Sequence, residues 1–280
     1  PLKAFITKKT EILPPKNQSE PKRMNGKQML AAYVTIVRKE FLRMFRVWVQ
    51  ALLPPAVTTV LYFLVFGKFI GAQVAPIHGM SYMEFIVPGI IMMSVITQSF
   101  MHSAFGYYIA KFQKSIEEIQ VSPTPYWIMI LGYVTGGVLR GLVTGVILLL
   151  ISLFFTPLPI SHAVHVLAFA FLTSVVFSLA GLINAIFAKD FDSISIFPTF
   201  ILTPLTYLAG TFYSLSMLPT IWQQVSLWNP LLYMINGFRY GLIGVTDVSI
   251  TIAYSILITL SAVLSFTVWY LFYSGRGVRT

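Results

Sequence analysis

Residues 202–239 read Leu202-Thr203-Pro204-Leu205-Thr206-Tyr207-Leu208-Ala209-Gly210-Thr211-Phe212-Tyr213-Ser214, then Leu218-Pro219, Asn229-Pro230-Leu231, Tyr233 and Arg239. The run begins as a membrane helix would, is interrupted at Pro219 and again at Asn229-Pro230, and stays apolar and aromatic throughout. Irregular backbone facing lipid leaves N–H and C=O groups unpaired at several kcal/mol each, so a segment too broken to cross and too apolar to be solvated must pack inside protein or against a cavity. The expected structure is a span followed by a re-entrant hairpin. Pro219, Asn229, Pro230, Tyr233 and Arg239 mark its turns and its return.

Composition sets the class. Of 280 residues, 56% are hydrophobic and 10% charged, against about 25% charged in a soluble domain, and mean hydropathy is +0.78. This is a polytopic membrane protein. The chain has no cysteine, which excludes disulfides, thiolate metal sites and cysteine nucleophiles. The net charge of +10 does not point to nucleic acid, because the cations gather at the N-terminus and in segments expected on one side of a membrane.

Residues 1–27 hold Lys3, Lys8, Lys9, Lys16, Lys22, Arg23 and Lys27 among Pro14, Pro15 and Pro21, and are expected to form a disordered basic cytoplasmic tail. They contain no apolar core ahead of a small-residue cleavage site, so no cleavable signal is expected there. Residues 28–280 are read as one transmembrane domain. From Gln28 to Trp48, Leu30, Val34, Val37, Phe41, Met44, Phe45 and Trp48 recur at helical spacing, with Arg38, Lys39, Arg43 and Arg46 on the other face. That pattern is a basic amphipathic helix lying at a membrane surface.

Six apolar segments follow at 49–70, 85–107, 132–155, 163–187, 194–212 and 250–273, each near the ~20 residues that cross ~30 Å of hydrocarbon. Pro54-Pro55 is expected in the first turns of the first segment, where missing N–H donors matter least. Ser81 and Glu84 have capping-box spacing ahead of the second. The fold class expected is therefore all-α: six transmembrane helices, an N-terminal amphipathic interfacial helix, and a re-entrant helical hairpin between helices five and six.

Charge sets the orientation. Eleven Lys/Arg precede Val49, Lys111 and Lys114 follow the second segment, Lys189 the fourth, and Arg276 and Arg279 the sixth. Near the opposite loops stand only Lys68 and Arg239. Both termini are expected in the cytoplasm, and counting the hairpin as a seventh crossing would place Arg276 and Arg279 outside, against the bias.

Residues 111–125, between the second and third segments, set Phe112, Ile116 and Ile119 on one edge and Lys114, Glu117 and Glu118 on another, with Val121 preceding the helix-ending Pro123 and Pro125. A docking helix and a solvated loop helix both fit. Gly137, Gly141 and Gly145 recur every four residues, with Gly132 and Gly136 as a second pair, which allows close helix packing within the chain or between two copies. Arg140, among these glycines, is expected to snorkel toward the cytoplasmic end, with a buried substrate role as the alternative. Arg239 has Glu84 or Asp247 as candidate counter-charges, or serves as an interfacial anchor. His102 stands alone on the second segment, and no HExxH, paired carboxylates or nucleophile motif accompanies the four histidines, so neither a catalytic residue nor a metal site is expected. Asp190 and Asp192 flank a turn expected on the cytoplasmic side, which turn chemistry or a second contact with an ATPase would both explain. The sequence contains no GxxxxGK[ST] phosphate loop, so ATP hydrolysis would have to come from another polypeptide.

The spacing Leu218-Pro219, then Pro230-Leu231, Tyr233 and Arg239 resembles the signature of the ABC-2 type permeases, the membrane subunits of ABC transporters. Trp48-Val49-Gln50, Pro54-Pro55, Phe85-Ile86-Val87-Pro88-Gly89 and Thr203-Pro204-Leu205-Thr206-Tyr207 resemble elements of the YadH-type bacterial inner-membrane members. The resemblance runs from about Met24, where such permeases usually begin, to Thr280; residues 1–23 would then be an extension. It implies that Gln28 to Trp48 is the connecting helix at the cytoplasmic interface, and that Lys114, Glu117, Glu118, Val121 and Pro123 belong to a coupling helix seated in a groove of an ABC ATPase subunit. It further implies an exporter of two permease copies, here a homodimer, with two ATPases, which hold the ATP and Mg2+. This chain would bind no cofactor. The hairpin would act as an outer gate, and membrane lipid would be a partner.

Spans rich in Phe, Tyr, Met and Leu and nearly free of charge favour an amphipathic substrate: a lipid, a lipid-linked glycan or a drug. Two rival classes remain: an ATP-independent secondary transporter or channel, which would show intramembrane carboxylates or paired broken segments, and an integral-membrane lipid-modifying enzyme, which would show a His/Asp/Glu cluster at one membrane face.

Overall fold

The computed structural model describes residues 24–115 and 124–275. Glu117, Glu118, Val121 and Pro123 of the expected coupling helix, residues 1–23 of the tail, and Arg276 and Arg279 lie outside the described residues.

Helix α1 (Gly26–Arg46) opens on a capping box, in which the Gln28 side chain accepts from the Asn25 N–H at 2.9 Å. It breaks at Val47, and α2 (Trp48–Tyr62) continues into a π-helical stretch, Phe63–Ile70, and a short 3-10 turn, Gly71–Gln73. Pro54 and Pro55 therefore sit inside α2 and not in its first turn. They supply no N–H to the carbonyls of Gln50 and Ala51 one turn earlier, which loosens the ladder at that level.

Helix α3 (Tyr82–Phe112) is the axis of the bundle. It starts where the sequence signals it: Ser81 Oγ accepts from the Glu84 N–H at 3.3 Å and Glu84 Oε2 accepts from the Ser81 N–H at 3.0 Å. Most of its length is buried by α4 (Tyr126–Ser152), α5 (Ala163–Phe187) and α9 (Pro230–Ile243). Close approach is made possible by small residues. A methyl group on Gly137 would collide with Ser103 and Ser178, one on Gly141 with Ser99, and one on Gly181 with the backbone of Phe100. The α4 glycines thus pack within the chain, against a serine seam from α3 and α5.

Among the described residues five helices are long and apolar enough to cross a membrane: Trp48–Gln73, Tyr82–Phe112, Tyr126–Ser152, Ala163–Phe187 and Ile250–Ser274, the last being α10. The segment expected as the fifth of six spans is built differently. It runs as α6 (Phe191–Phe197), a π-helical stretch Pro198–Leu202, and α7 (Thr203–Tyr207). Pro198 and Pro204 each remove a donor and crowd the preceding turn, so the run stays helical but widens to π-type at Pro198–Leu202 and is too short to count among the five.

After α7 the chain turns at Gly210, whose φ of +70° suits a residue without Cβ. It passes through a 3-10 turn, Leu215–Met217, into α8 (Thr220–Leu227) and then α9. Although α9 is short, nearly every residue in it is buried. Its last carbonyls do not go unpaired: the His162 and Ser161 N–H groups donate to Gly241 and Leu242 at 2.8 and 3.2 Å. By contrast, α2 and α10 present long exposed apolar rows, including Leu53, Val57 and Leu61 on one and Ile258, Val263 and Phe266 on the other.

Candidate functional site

The polar centre of the molecule lies where α1, α3 and α4 meet. Ile36, Glu40 and Met44 fall one turn apart on the buried edge of α1, and that edge lies along the glycines of α4, with Ile36 over Gly132 and Glu40 over Gly136. Tyr33 and Thr135 share a hydroxyl hydrogen bond of 2.9 Å alongside. Burying Glu40 requires partners. It has two, since Arg43 donates to its Oε2 and His102 Nε2 stands 3.3 Å from the same oxygen. Arg43 also donates to the His102 carbonyl at 2.8 Å, its head occupying the space left by Gly106.

Arg140 points into the same centre. It donates twice to Gln98 Oε1, at 2.9 and 2.7 Å, and its Nη1 lies 3.4 Å from His102 Nδ1. It is held inside the bundle and does not snorkel to the end of α4, because Gln98 and His102 meet its guanidinium where it emerges. His102 likewise is not alone on its helix.

Arg43, Gln98, His102 and Arg140 line a cavity of about 470 Å³ walled mainly by α2 and α3. A second cavity of about 230 Å³ adjoins it and shares Pro54, Pro55, Thr97 and Gln98. Together they make a groove with its charged groups near the middle, passing Met101 and Phe105 on one side and reaching Ile90 and Met93, among the hydroxyls of Thr58, Thr59 and Ser94, on the other.

The hairpin forms a separate constellation. Pro219 precedes α8 and Pro230 is the first residue of α9. Asn229 caps α9, its Oδ1 accepting from the Leu231 N–H at 3.0 Å, while its Nδ2 donates to the Leu205 carbonyl at 2.7 Å and so ties α9 to α7. The Tyr233 hydroxyl donates to the Leu227 carbonyl at 3.0 Å, tying α9 to α8. Arg239 is completely buried. It donates to the Gly210 carbonyl at 2.6 Å and to Asn236 Oδ1 at 3.4 Å, and lies over the Phe85 ring at 4.0 Å. Neither expected acid forms a direct ion pair with it, although Asp247 acts as a counter-charge at longer range, with Asn236 Oδ1 accepting from both Arg239 and the Asp247 N–H. Glu84 caps α3, and Asp247 accepts from the Ser214 hydroxyl at 2.7 Å and the Leu215 N–H at 2.9 Å, with His78 at 3.4 Å.

Arg38, Lys39 and Arg46 are exposed on α1, whereas Arg43 turns inward with Glu40. The exposed face of α1 also carries Leu30, Val34, Phe41 and Phe45, and Trp48 at the start of α2 is exposed as well. Lys114, with φ of +57°, lies one residue before the described part of its loop ends at Ser115, and Gly145 lies against Val95. Asp190 caps α6 through Ser193, whose N–H and hydroxyl hold the exposed carboxyl below its ordinary range. Among the described residues no group of three or more His, Asp or Glu is placed to hold a metal.

Glu40 and Gln98 are the site residues that sequence reasoning missed. A signal for Glu40 existed: it is the lone acid in a basic helix and shares its stripe with Ile36 and Met44. Gln98 gives none, being one more polar residue on a mixed helix.

Comparison with known proteins places the chain. The family model for ABC-2 type transporters matches residues 31–243. The chain is 50% identical over 249 residues to the inner membrane transport permease YadH of Escherichia coli K12, covering 89% of this chain and 97% of that protein. It is also 22% identical over 218 residues to nodulation protein J of Rhizobium leguminosarum biovar viciae, covering 76% and 82%, and 22% identical over 216 residues to nodulation protein J of Rhizobium meliloti.

Proposed function

The chain belongs to the ABC-2 type transporter family, and from that membership we propose that it is the permease subunit of an ATP-binding cassette exporter in a bacterial inner membrane. The match over residues 31–243 carries this reading. It is supported by an E. coli relative whose name is that of an inner membrane transport permease, and by five helices of spanning length. The sequence has no phosphate loop, so the motor in this reading is a separate ABC ATPase that holds ATP and Mg2+.

In this proposal the segment Phe191–Tyr207 is a further crossing, the fifth of six in chain order. Ile194, Pro198, Leu202 and Thr206 form its buried edge, while Ile196, Phe200 and Ile201 face outward, as lipid-facing side chains would. The residues beyond it return as the hairpin, and both termini are cytoplasmic. The loop holding Lys114, Glu117, Glu118, Val121 and Pro123 receives the ATPase, and Arg38, Lys39 and Arg46 hold α1 at the anionic lipid surface. The exposed apolar row of α2 meets a second copy of the chain. ATPase closure then presses on the loop, tilts α2 against α3, and opens a path for an amphipathic substrate, with α8 and α9 as the outer gate.

One observation favours a second reading. Glu40 beside His102 is a buried ionisable pair of the kind a proton-driven transporter uses. A single experiment separates the two. The tagged chain is purified in mild detergent from its native host, and ATPase activity is assayed in the eluate. A copurifying ABC ATPase, lost with Glu117→Lys and Glu118→Lys, is the expected result. A chain that emerges alone and transports on a pH gradient would favour the second reading.

A further inference from the structure

The charged part of the groove does not balance. Two guanidiniums, Arg43 and Arg140, face one carboxylate, Glu40, and that carboxylate is already engaged by Arg43 and His102. Arg140 meets only the neutral Gln98 amide and the His102 ring, and no carboxylate lies within 4 Å of it among the described residues. The remaining described acids are committed elsewhere, Glu84 to the cap of α3, Asp190 and Asp192 to the start of α6, and Asp247 to the turn at Ser214. A guanidinium held in a largely apolar bundle with no counter-anion is costly, and its planar fork suits a phosphate or carboxylate.

The rest of the groove says what that anion is attached to. From Arg140 the groove runs one way to Met101 and Phe105 and the other way, past Pro54 and Pro55, to Ile90 and Met93. The hydroxyls of Thr58, Thr59 and Ser94 lie among these apolar walls, and the lining residues carry no second charge beyond the two guanidiniums and their partners. We propose that this groove binds a molecule with a single anionic head and an apolar tail, the head on Arg140 and Arg43 and the tail along α2 and α3. Thr97 and Gln98 line both cavities and sit at the junction between head and tail. This deepens the export reading by giving the substrate a charge class, and it depends on that reading only for calling the occupant a substrate. Binding itself is a property of this chain alone.

The test uses the full chain without any ATPase, so that its outcome is independent of the copurification experiment. Native mass spectrometry of the detergent-purified protein compares dioleoyl phosphatidic acid with dioleoyl phosphatidylcholine, which share their tails, and adds inorganic phosphate as competitor. Expected is a preference for the phosphatidic acid of about tenfold. Arg140→Gln abolishes that preference and Arg140→Lys retains most of it, while Lys68→Gln, with the same change of charge far from the groove, leaves it intact. Thr97→Trp fills the trough without touching either guanidinium and weakens phosphatidic acid binding too, which keeps the test informative should Arg140→Gln fail to fold. Equal binding of the two lipids overturns the proposal. So does unchanged binding in both Arg140→Gln and Thr97→Trp, and so does displacement of the lipid by inorganic phosphate at equal concentration, which would show a free-anion site.

Discussion

Arg239 donates from Nη2 to the carbonyl oxygen of Gly210 at 2.6 Å, which ties the middle of α9 to the left-handed corner where the chain leaves α7. A buried carbonyl at such a corner has no helical partner, and the guanidinium supplies one while Asn236 and the Phe85 face take up the rest of its charge. Arg239→Met strands the Gly210 carbonyl and leaves a gap; it is expected to cost about 2–4 kcal/mol. Arg239→Lys recovers only part, because an ammonium cannot reach the carbonyl and the Asn236 amide as a planar fork does. Thermal unfolding in detergent reads both. Exchanging charge between Arg239 and Asp247 gives no rescue, since Asp247 is bonded to Ser214 and Leu215; recovery in that double variant would show a direct pair.

The seam between α3 and α4 makes a graded prediction. At Gly141 a methyl group meets the Ser99 hydroxyl, whereas at Gly145 it lies 3.0 Å from a single Val95 methyl. Gly141→Ala should therefore destabilise by about 1–3 kcal/mol, despite gaining close to 1 kcal/mol in helix propensity, and Gly145→Ala should be near neutral. The Ser99 hydroxyl has no hydrogen-bond partner, so Ser99→Ala alone costs little, and combined with Gly141→Ala it restores part of the stability, the remaining strain lying against the Ser174 hydroxyl at 2.8 Å. Additive losses in that pair would place the strain elsewhere.

How far the sequence reached is visible in these contacts. Span 163–187 was legible to the residue, because a uniformly apolar run bounded by polar loops has one solution in a membrane, and Ser81 with Glu84 announced the start of α3. Segment 194–212 was less legible: hydropathy sums over residues, and the two prolines that divide it act on hydrogen bonds. Partners of buried charges were not readable at all. Periodicity puts Arg43 on a basic face and Arg140 on a glycine face, but which of them turns inward depends on Gly106 and Gly136 making room and on Gln98 and Glu40 arriving from other helices.

Glu40 tests the consequence of that convergence. Glu40→Ala leaves Arg43 and Arg140 together with no carboxylate among the described residues of the groove, and is expected to cost about 3–5 kcal/mol. Replacing Arg43 as well, in Glu40→Ala with Arg43→Met, removes one of the two uncompensated charges and should return much of the loss. A double-mutant cycle read by thermal unfolding gives the coupling. If the single variant is as stable as the parent, Glu40 does not balance the two guanidiniums.

The absence of cysteine makes the topology directly measurable. Five crossings put the two ends of the described chain on opposite sides of the membrane, while a sixth through Phe191–Tyr207 puts them on the same side. Single cysteines at Lys27, Ser216 and Gly275 have no background to compete with. With six crossings and a hairpin that returns without crossing, Lys27→Cys and Gly275→Cys are protected from a membrane-impermeant maleimide added to intact cells, and Ser216→Cys is labelled. Labelling of Gly275→Cys together with protection of Lys27→Cys means an odd number of crossings, and Ser216→Cys then tells which element is responsible. If it is labelled from outside, Phe191–Tyr207 crosses and the hairpin does too; if it is protected, the proline-broken segment stays on the cytoplasmic side, and the outer-gate role of α8 and α9 falls with it.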